Sequence, residues 1–255
     1  MQTLISRTSK VPAVILSFWV IKVAATTLGE TGGDTLSMTF KLGYALSTLI
    51  FAVLFIVLVI VQIRANRFHV WLYWGVIVAT TLVGTTIADF ADRSMGIGYF
   101  GGSSLLFVAV IAVLLIWRFT TGSIAVNNIT SPVDERFYWL TILASNTLGT
   151  ALGDLVSDGL NFGFSAGVMV FALILAGIGL LYLLRVGSTA ILFWAAFILT
   201  RPLGATMGDL LTKPLVHGGL DISRPEASLV IAVFMAVAIL MTPQRAGGHP
   251  GGTAA

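Results

Sequence analysis

Apolar residues fill long uninterrupted stretches of this chain, and the stretches have the length of membrane spans. Charge-free runs cover residues 42–63, 70–88, 94–117, 137–153, 159–184 and 227–244, each close to the ~20 residues that a spanning helix needs. Two further runs, 11–29 and 186–204, emerge once a single cation is admitted into each, Lys22 in the first and Arg201 in the second. The pattern predicts eight transmembrane helices. A leader sequence would also begin with basic residues before an apolar run, as Arg7 and Lys10 do here. Lys22 interrupts that run, however, and Trp19 fits a register repeated later in the chain, so a first span is the reading.

That register is explicit. Phe18-Trp19, Tyr73-Trp74, Tyr138-Trp139 and Phe193-Trp194 each open a copy, and Gly29, Gly84, Gly149 and Gly204 follow at a constant distance. Then come Asp34, Asp89, Asp154 and Asp209, and finally Gly43, Gly98, Gly163 and Gly218. All four copies fit [FY]-W-x9-G-x4-D-x8-G without a gap, at offsets of 55, 65 and 55 residues, as if a duplicated unit had been duplicated again. Each copy holds two helices, so all four cross in the same direction, as parallel repeats. The expected architecture is an all-α membrane protein, with eight transmembrane helices forming four parallel two-helix repeats in a pseudo-symmetric bundle. One membrane domain spans 1–255, with repeats at about 12–63, 68–118, 136–185 and 187–242 and a disordered tail at 243–255. The connection 119–135, with Gly122, Asn127, Asn128 and Pro132, divides the chain into halves.

The repeated motif resembles a bacterial family of membrane proteins built from four tandem two-helix repeats, each with a characteristic Trp. That family is known as a repeat of unknown function, and its members are described as uncharacterised membrane-anchored proteins. The resemblance covers Phe18 to about Met241. It implies a bacterial inner membrane and carries no activity with it.

Composition agrees with a membrane. Hydrophobic residues make up 57% of the chain and charged residues 10%, against about 45–50% and about 25% in soluble domains. Lys10, Arg64, Arg67, Arg118, Arg136, Arg185 and Arg245 gather with Arg7 at one set of helix ends, and most acids gather at the other. By the positive-inside rule both termini are cytoplasmic and the acidic connections face outward. The absence of cysteine excludes disulfides and thiolate ligands. A net charge of +3 without a basic run argues against nucleic acid as a partner. No nucleophile elbow, zinc helix or phosphate loop is present, so no enzyme is expected.

The repeated tryptophans suit an interfacial belt or packing, and the glycines, with Gly163-x3-Gly167, suit close helix approach. The acids carry the chemistry. Asp34, Asp89, Asp154 and Asp209 recur at one depth, accompanied by Glu30, Asp92 and Asp158 at helical spacing and by many threonines. An all-oxygen set fits a hard divalent cation such as manganese as substrate, or a proton path. The run Glu30-Thr31-Gly32-Gly33-Asp34 is similar to the acidic Glu-x-Gly-Asp signature of manganese and calcium/proton exchangers. It departs from that signature by one extra glycine, by lacking a base after Asp34, and by the missing Glu in copies two to four. Lys22 and Arg201 fall on the face of Glu30 and Asp209 and are read as internal counter-charges, since a mid-membrane charge turns toward the bundle interior. His217 follows Asp209 and Lys213 in steps of four, but Pro214 intervenes, which favours a solvated loop histidine.

Two functions fit: a transporter exporting a hard divalent cation against protons, with Asp34, Asp89, Asp154 and Asp209 as metal ligands, or a membrane scaffold whose ion pairs lock helices together. A lipid-modifying enzyme lacks a nucleophile–base pair. The transporter reading requires the four aspartates to turn inward, because a carboxylate at a helix end can equally be hydrated or act as a cap.

Overall fold

The computed structural model describes residues 10–124, 129 and 131–246. Arg7, Asn127, Asn128, His249 and the tail beyond residue 246 lie outside the described residues. Within them the chain forms eight α-helices: α1 (Leu16–Asp34), α2 (Gly43–Arg64), α3 (Val70–Asp89), α4 (Tyr99–Thr121), α5 (Pro132–Asp154), α6 (Phe164–Leu183), α7 (Thr189–Thr212) and α8 (Arg224–Met241). Six of them, all but α1 and α5, are long and apolar enough to cross a membrane. The two exceptions carry the most polar residues. Lys22, Glu30 and Asp34 lie in α1, and Asp134, Glu135, Arg136 and Asn146 in α5.

The helices divide into an inner and an outer set. Helices α1, α3, α5 and α7 pack in a closed square, α1 on α3, α3 on α5, α5 on α7 and α7 on α1. The apolar stretches of α3 and α7 are 61% and 56% buried, against 11–22% for α2, α4, α6 and α8. The outer four present Leu49, Val53, Ile56, Leu173 and Val230 outward, as helices apolar all round do when lipid covers them. Each outer helix lies against the first helix of the next copy: α2 on α3, α4 on α5, α6 on α7, and α8 back on α1. Contact with the first helix of its own copy is slight, so the repeats interlock like links, the last closing on the first.

The motif glycines explain how the square closes. A Cβ on Gly29 would lie 2.2 Å from Thr81 Oγ1, on Gly84 2.9 Å from the Thr147 amide, on Gly149 2.2 Å from Arg201 Cγ, and on Gly204 2.1 Å from Thr26 Oγ1. Only a residue without a side chain permits that approach. The second repeated glycine has a different duty. Gly43, Gly98, Gly163 and Gly218 hold φ between 74° and 83° where the chain turns into the next element, a conformation that L residues resist.

After Asp34, Asp89 and Asp154 the helix widens into a π-helical turn, Thr35–Thr39, Phe90–Ser94 and Leu155–Gly159. Such single turns often mark functional positions. In the fourth copy α7 stays α-helical to Thr212 and Pro214 ends it. At the opposite end the N-terminal segment crosses the bundle. Lys10 pairs with Glu135 at 2.8 Å and donates to the Ile63 carbonyl, closing the C-terminal end of α2. Residues 243–246 pair with this segment through the Pro12–Ala246 bridge and the Ala13 amide donating to the Arg245 carbonyl.

Candidate functional site: a buried carboxylate ring

Corresponding residues of α1, α3, α5 and α7 stack in layers one helical turn apart. The first layer is aromatic. Phe18 meets Trp74, Tyr73 meets Trp139, Tyr138 meets Trp194 and Phe193 meets Trp19, with ring centroids 5.6, 5.7, 6.3 and 5.9 Å apart. Trp74, Trp139 and Trp194 are buried and Trp19 is half-buried, so the repeated tryptophans serve packing. The Tyr73 and Tyr138 hydroxyls are 2.9 Å apart. This end of the axis is plugged.

The next layer holds Lys22, Ile77, Ile142 and Phe197, all fully buried. Lys22 Nζ stands 3.6 Å over the Phe197 ring and has no hydrogen-bond partner among the described residues. A cation–π contact returns about 2 kcal/mol when desolvated, whereas a charge in mid-membrane costs about 2.5–3.5 kcal/mol on insertion scales. A charged Lys22 is therefore incompletely compensated. It makes no ion pair among the described residues, which corrects its reading as a counter-charge to the acids. Two helical turns separate it from Glu30, and the layer of Arg201 lies between.

Thr26, Thr81, Asn146 and Arg201 form the following layer, each seated on a motif glycine of the neighbouring helix. The Asn146 amide donates to Thr80 Oγ1 at 2.8 Å. Arg201 reaches across the axis. Its Nη2 donates to Glu30 Oε2 at 3.0 Å, Thr85 Oγ1 at 2.5 Å and Thr150 Oγ1 at 2.6 Å. Those acceptors occupy the same position in three copies, and the fourth has Ala205, whose small side chain leaves room. Arg201 is thus the internal counter-charge of Glu30 on the neighbouring helix α1 rather than of Asp209 on its own.

One turn further stand Asp34, Asp89, Asp154 and Asp209, each 1% exposed. They are neither hydrated ends nor caps. Arg93 bridges Asp89 and Asp154 at 3.1 and 3.2 Å, and Lys213 bridges Asp209 and Asp34 at 3.0 and 3.6 Å. Arg224, from the start of α8, adds a 3.4 Å contact to Asp34. Arg93 and Lys213 occupy the same position in copies two and four, so the ring has two-fold character, as the 55-65-55 spacing suggests. Burial alone would lower the Lys213 ammonium, but Asp209 and Asp34 outweigh it and hold the group above its usual range. Sequence reasoning passed over Arg93, Lys213 and Arg224 as site residues. The signal for the first two was a base four residues after the repeated Asp.

Glu30, Asp34 and Asp89 form one corner in which a carboxylate oxygen from each lies within 4.8 Å of the others. Asp34 Oδ2 and Asp89 Oδ1 meet only the ion-pairing cations, and Asp34 Oδ1 and Asp89 Oδ2 have neither a hydrogen bond nor an ion pair among the described residues. Buried polar atoms are rarely left so, and a hard cation with oxygen preference would satisfy them. Asp92 and Asp158 do not join the ring. Asp92 packs against Gly102 of α4, at the position where Ser37, Ser157 and Thr212 donate to backbone carbonyls. Asp158 lies beyond the ring, in the wall of a cavity of about 600 Å³ with Arg93, Tyr99, Asn161, Lys213 and His217. His217 is exposed there.

Four segments, 17–68, 72–123, 137–188 and 192–243, match the Repeat of Unknown Function (DUF347). The chain belongs to this repeat family. In DUF347 terms each matched segment runs from the residue before the aromatic–Trp pair to just past its second helix. One copy therefore comprises an inner helix, the turn after its Asp, and an outer helix that serves the next copy. No curated protein and no solved structure matches the chain.

Proposed function

We propose that this DUF347 chain is a multi-pass transporter of a bacterial inner membrane, exchanging a hard divalent cation, manganese first, for protons at the carboxylate ring. The observation that carries the reading is the Glu30–Asp34–Asp89 corner, in which Asp34 Oδ1 and Asp89 Oδ2 are buried with neither a hydrogen bond nor an ion pair among the described residues. Charge arithmetic supports it. Glu30 and the four aspartates carry five negative charges, and Arg201, Arg93, Lys213 and Arg224 return four. The balance suits a proton at rest. The contacts of Lys213 and Arg224 to Asp34, 3.6 and 3.4 Å, are the longest ion pairs among the described residues. Those two cations would swing toward the cavity when a divalent ion arrives, leaving Asp34 free to ligate it.

The square supports a reading of eight spans. Helices α1 and α5 hold the places in it that α3 and α7 hold, and their 19 and 23 residues give about 28 and 34 Å at 1.5 Å per residue. Their polar residues away from the helix starts, such as Lys22, Glu30, Asn146 and Thr150, are buried against other helices. The basic tryptophan end lies in the cytoplasm on this reading, plugged, and the cavity faces outward.

The test is binding and flux in one preparation. Mn²⁺ is added to purified protein and the thermal transition followed, then Mn²⁺ movement is driven by a pH gradient in proteoliposomes. At a hundredfold excess over Kd, Mn²⁺ should add about 2.7 kcal/mol. Asp34→Asn and Asp89→Asn should each remove that gain and the flux while leaving folded yield near normal. An unaltered response in both variants would sink the proposal. A scaffold remains the second reading, favoured by the fact that every carboxylate of the ring and Glu30 has a cation within 4 Å. It predicts loss of folded protein in place of loss of flux.

A further inference from the structure

We propose that Lys22 is a proton-exchange site, which gives up its proton when a cation settles on Glu30, Asp34 and Asp89. The cation half of this inference rests on the transport reading; the proton half stands on the bundle alone.

The geometry isolates Lys22. Its layer otherwise holds Ile77, Ile142 and Phe197, and its Nζ touches one aromatic face and no hydrogen-bond acceptor among the described residues. The equivalent positions in the other copies are apolar, so packing does not call for an amine here. A wholly buried ionisable group without a partner, at the centre of a helix bundle, is the kind of residue that proton relays use.

The titratable groups around it come from each packed element. From α7 there is Arg201, one layer toward the ring. From its own helix there is Glu30, two turns away, held by Arg201 at 3.0 Å. From α3 and α5 come Tyr73 and Tyr138 in the aromatic layer below, hydrogen-bonded to each other. Helix α8, packed on α1, has no titratable residue after Glu226. Arg201 is therefore the only cation facing Lys22 among the described residues, and Glu30 is what neutralises Arg201.

The linkage follows. With Glu30 free of metal, its charge offsets Arg201, and Lys22 can carry a proton. When Glu30 turns its charge to a bound cation, Arg201 is left unmatched and repels the Lys22 ammonium. An N–H bond of Lys22 breaks, the electron pair stays on nitrogen, and the proton passes to water. By reciprocity, a proton on Lys22 weakens cation binding at the corner to the same degree. One proton thus leaves Lys22 for each cation that enters, which is the exchange an antiporter requires.

Proton counting tests this on the purified full chain, in weakly buffered detergent solution with a pH-sensitive dye. Lys22→Met supplies an apolar side chain of similar length to a layer that already accepts Ile and Phe, and its folding is checked by thermal transition. Between mildly acid and mildly alkaline conditions the wild type should release one proton more than Lys22→Met. Adding Mn²⁺ should likewise release one proton more from the wild type. Coincident titration curves overturn the proposal, as does equal release on Mn²⁺ binding. If Mn²⁺ binds neither protein, the cation reading fails separately. The linkage is then decided by Glu30→Gln, which should move the Lys22 proton release toward acid pH; an unmoved curve overturns it.

Discussion

Arg201 and Glu30 illustrate how much a single contact carries inside this bundle. Both are buried, and Arg201 spends its Nη2 on Glu30, Thr85 and Thr150 while its Nη1 donates to the Thr26 carbonyl at 3.4 Å. Removing one partner of a buried pair leaves an uncompensated charge, at a cost of about 3–5 kcal/mol, whereas replacing both with apolar groups is often neutral. Arg201→Met should accordingly lower stability by that order, and Glu30→Gln by less, because an amide still accepts from the guanidinium. The Glu30→Met/Arg201→Met double variant should regain most of the loss. A double-mutant cycle on thermal unfolding in detergent measures the coupling, and additive losses would show that the pair does not act as a unit.

Glycine placement governs the elements. Gly98 and Gly163 precede α4 and α6 with φ of 76° and ψ of 157° and 165°, a region nearly closed to other residues. No atom lies within 4 Å of a Cβ built on either, so substitution there meets backbone strain and nothing else. Gly98→Ala should cost about 1–3 kcal/mol, seen as a lowered transition temperature with unchanged Mn²⁺ response. Gly204→Leu is different in kind. Its side chain would enter Thr26, and α7 could no longer approach α1. That variant should fail to accumulate as folded protein, as judged by monodisperse elution in detergent.

Across the whole molecule the interlocking of copies makes the two halves interdependent. Helix α1 needs α7 and α8, and α5 needs α3 and α4, so both junctions between halves lie inside the square. Chains ending at residue 124 and beginning at residue 131, produced together, should associate and co-purify. Each half alone would expose the polar inner face of its helices and should be degraded. Recovery of a stable single half would refute the closed square. The same closure gives the ring its alternation. Cations follow the repeated Asp in copies two and four only, so each serves its own copy and the next.

The four-copy register, the helix lengths and the shared depth of the aspartates were legible in the chain, because a fixed spacing on a 3.6-residue helix fixes both face and height. Gly43 and its equivalents were visible as a pattern, though not as positive-φ turns. Which helices form the inside was only partly legible: α1 and α5 are visibly more polar, but α3 and α7 are apolar enough to pass with the outer four, and the inner set is chosen by small residues meeting across copies, a long-range fact. The partners of the charges were hidden for the same reason. Lys22 and Arg201 look alike along the sequence, four residues apart in register, yet only Arg201 meets an acid, since a square of parallel helices sets Glu30 opposite its guanidinium and gives Lys22 the Phe197 ring. Spacing determines which side chains share a level, and only closure of the square decides what each one touches there.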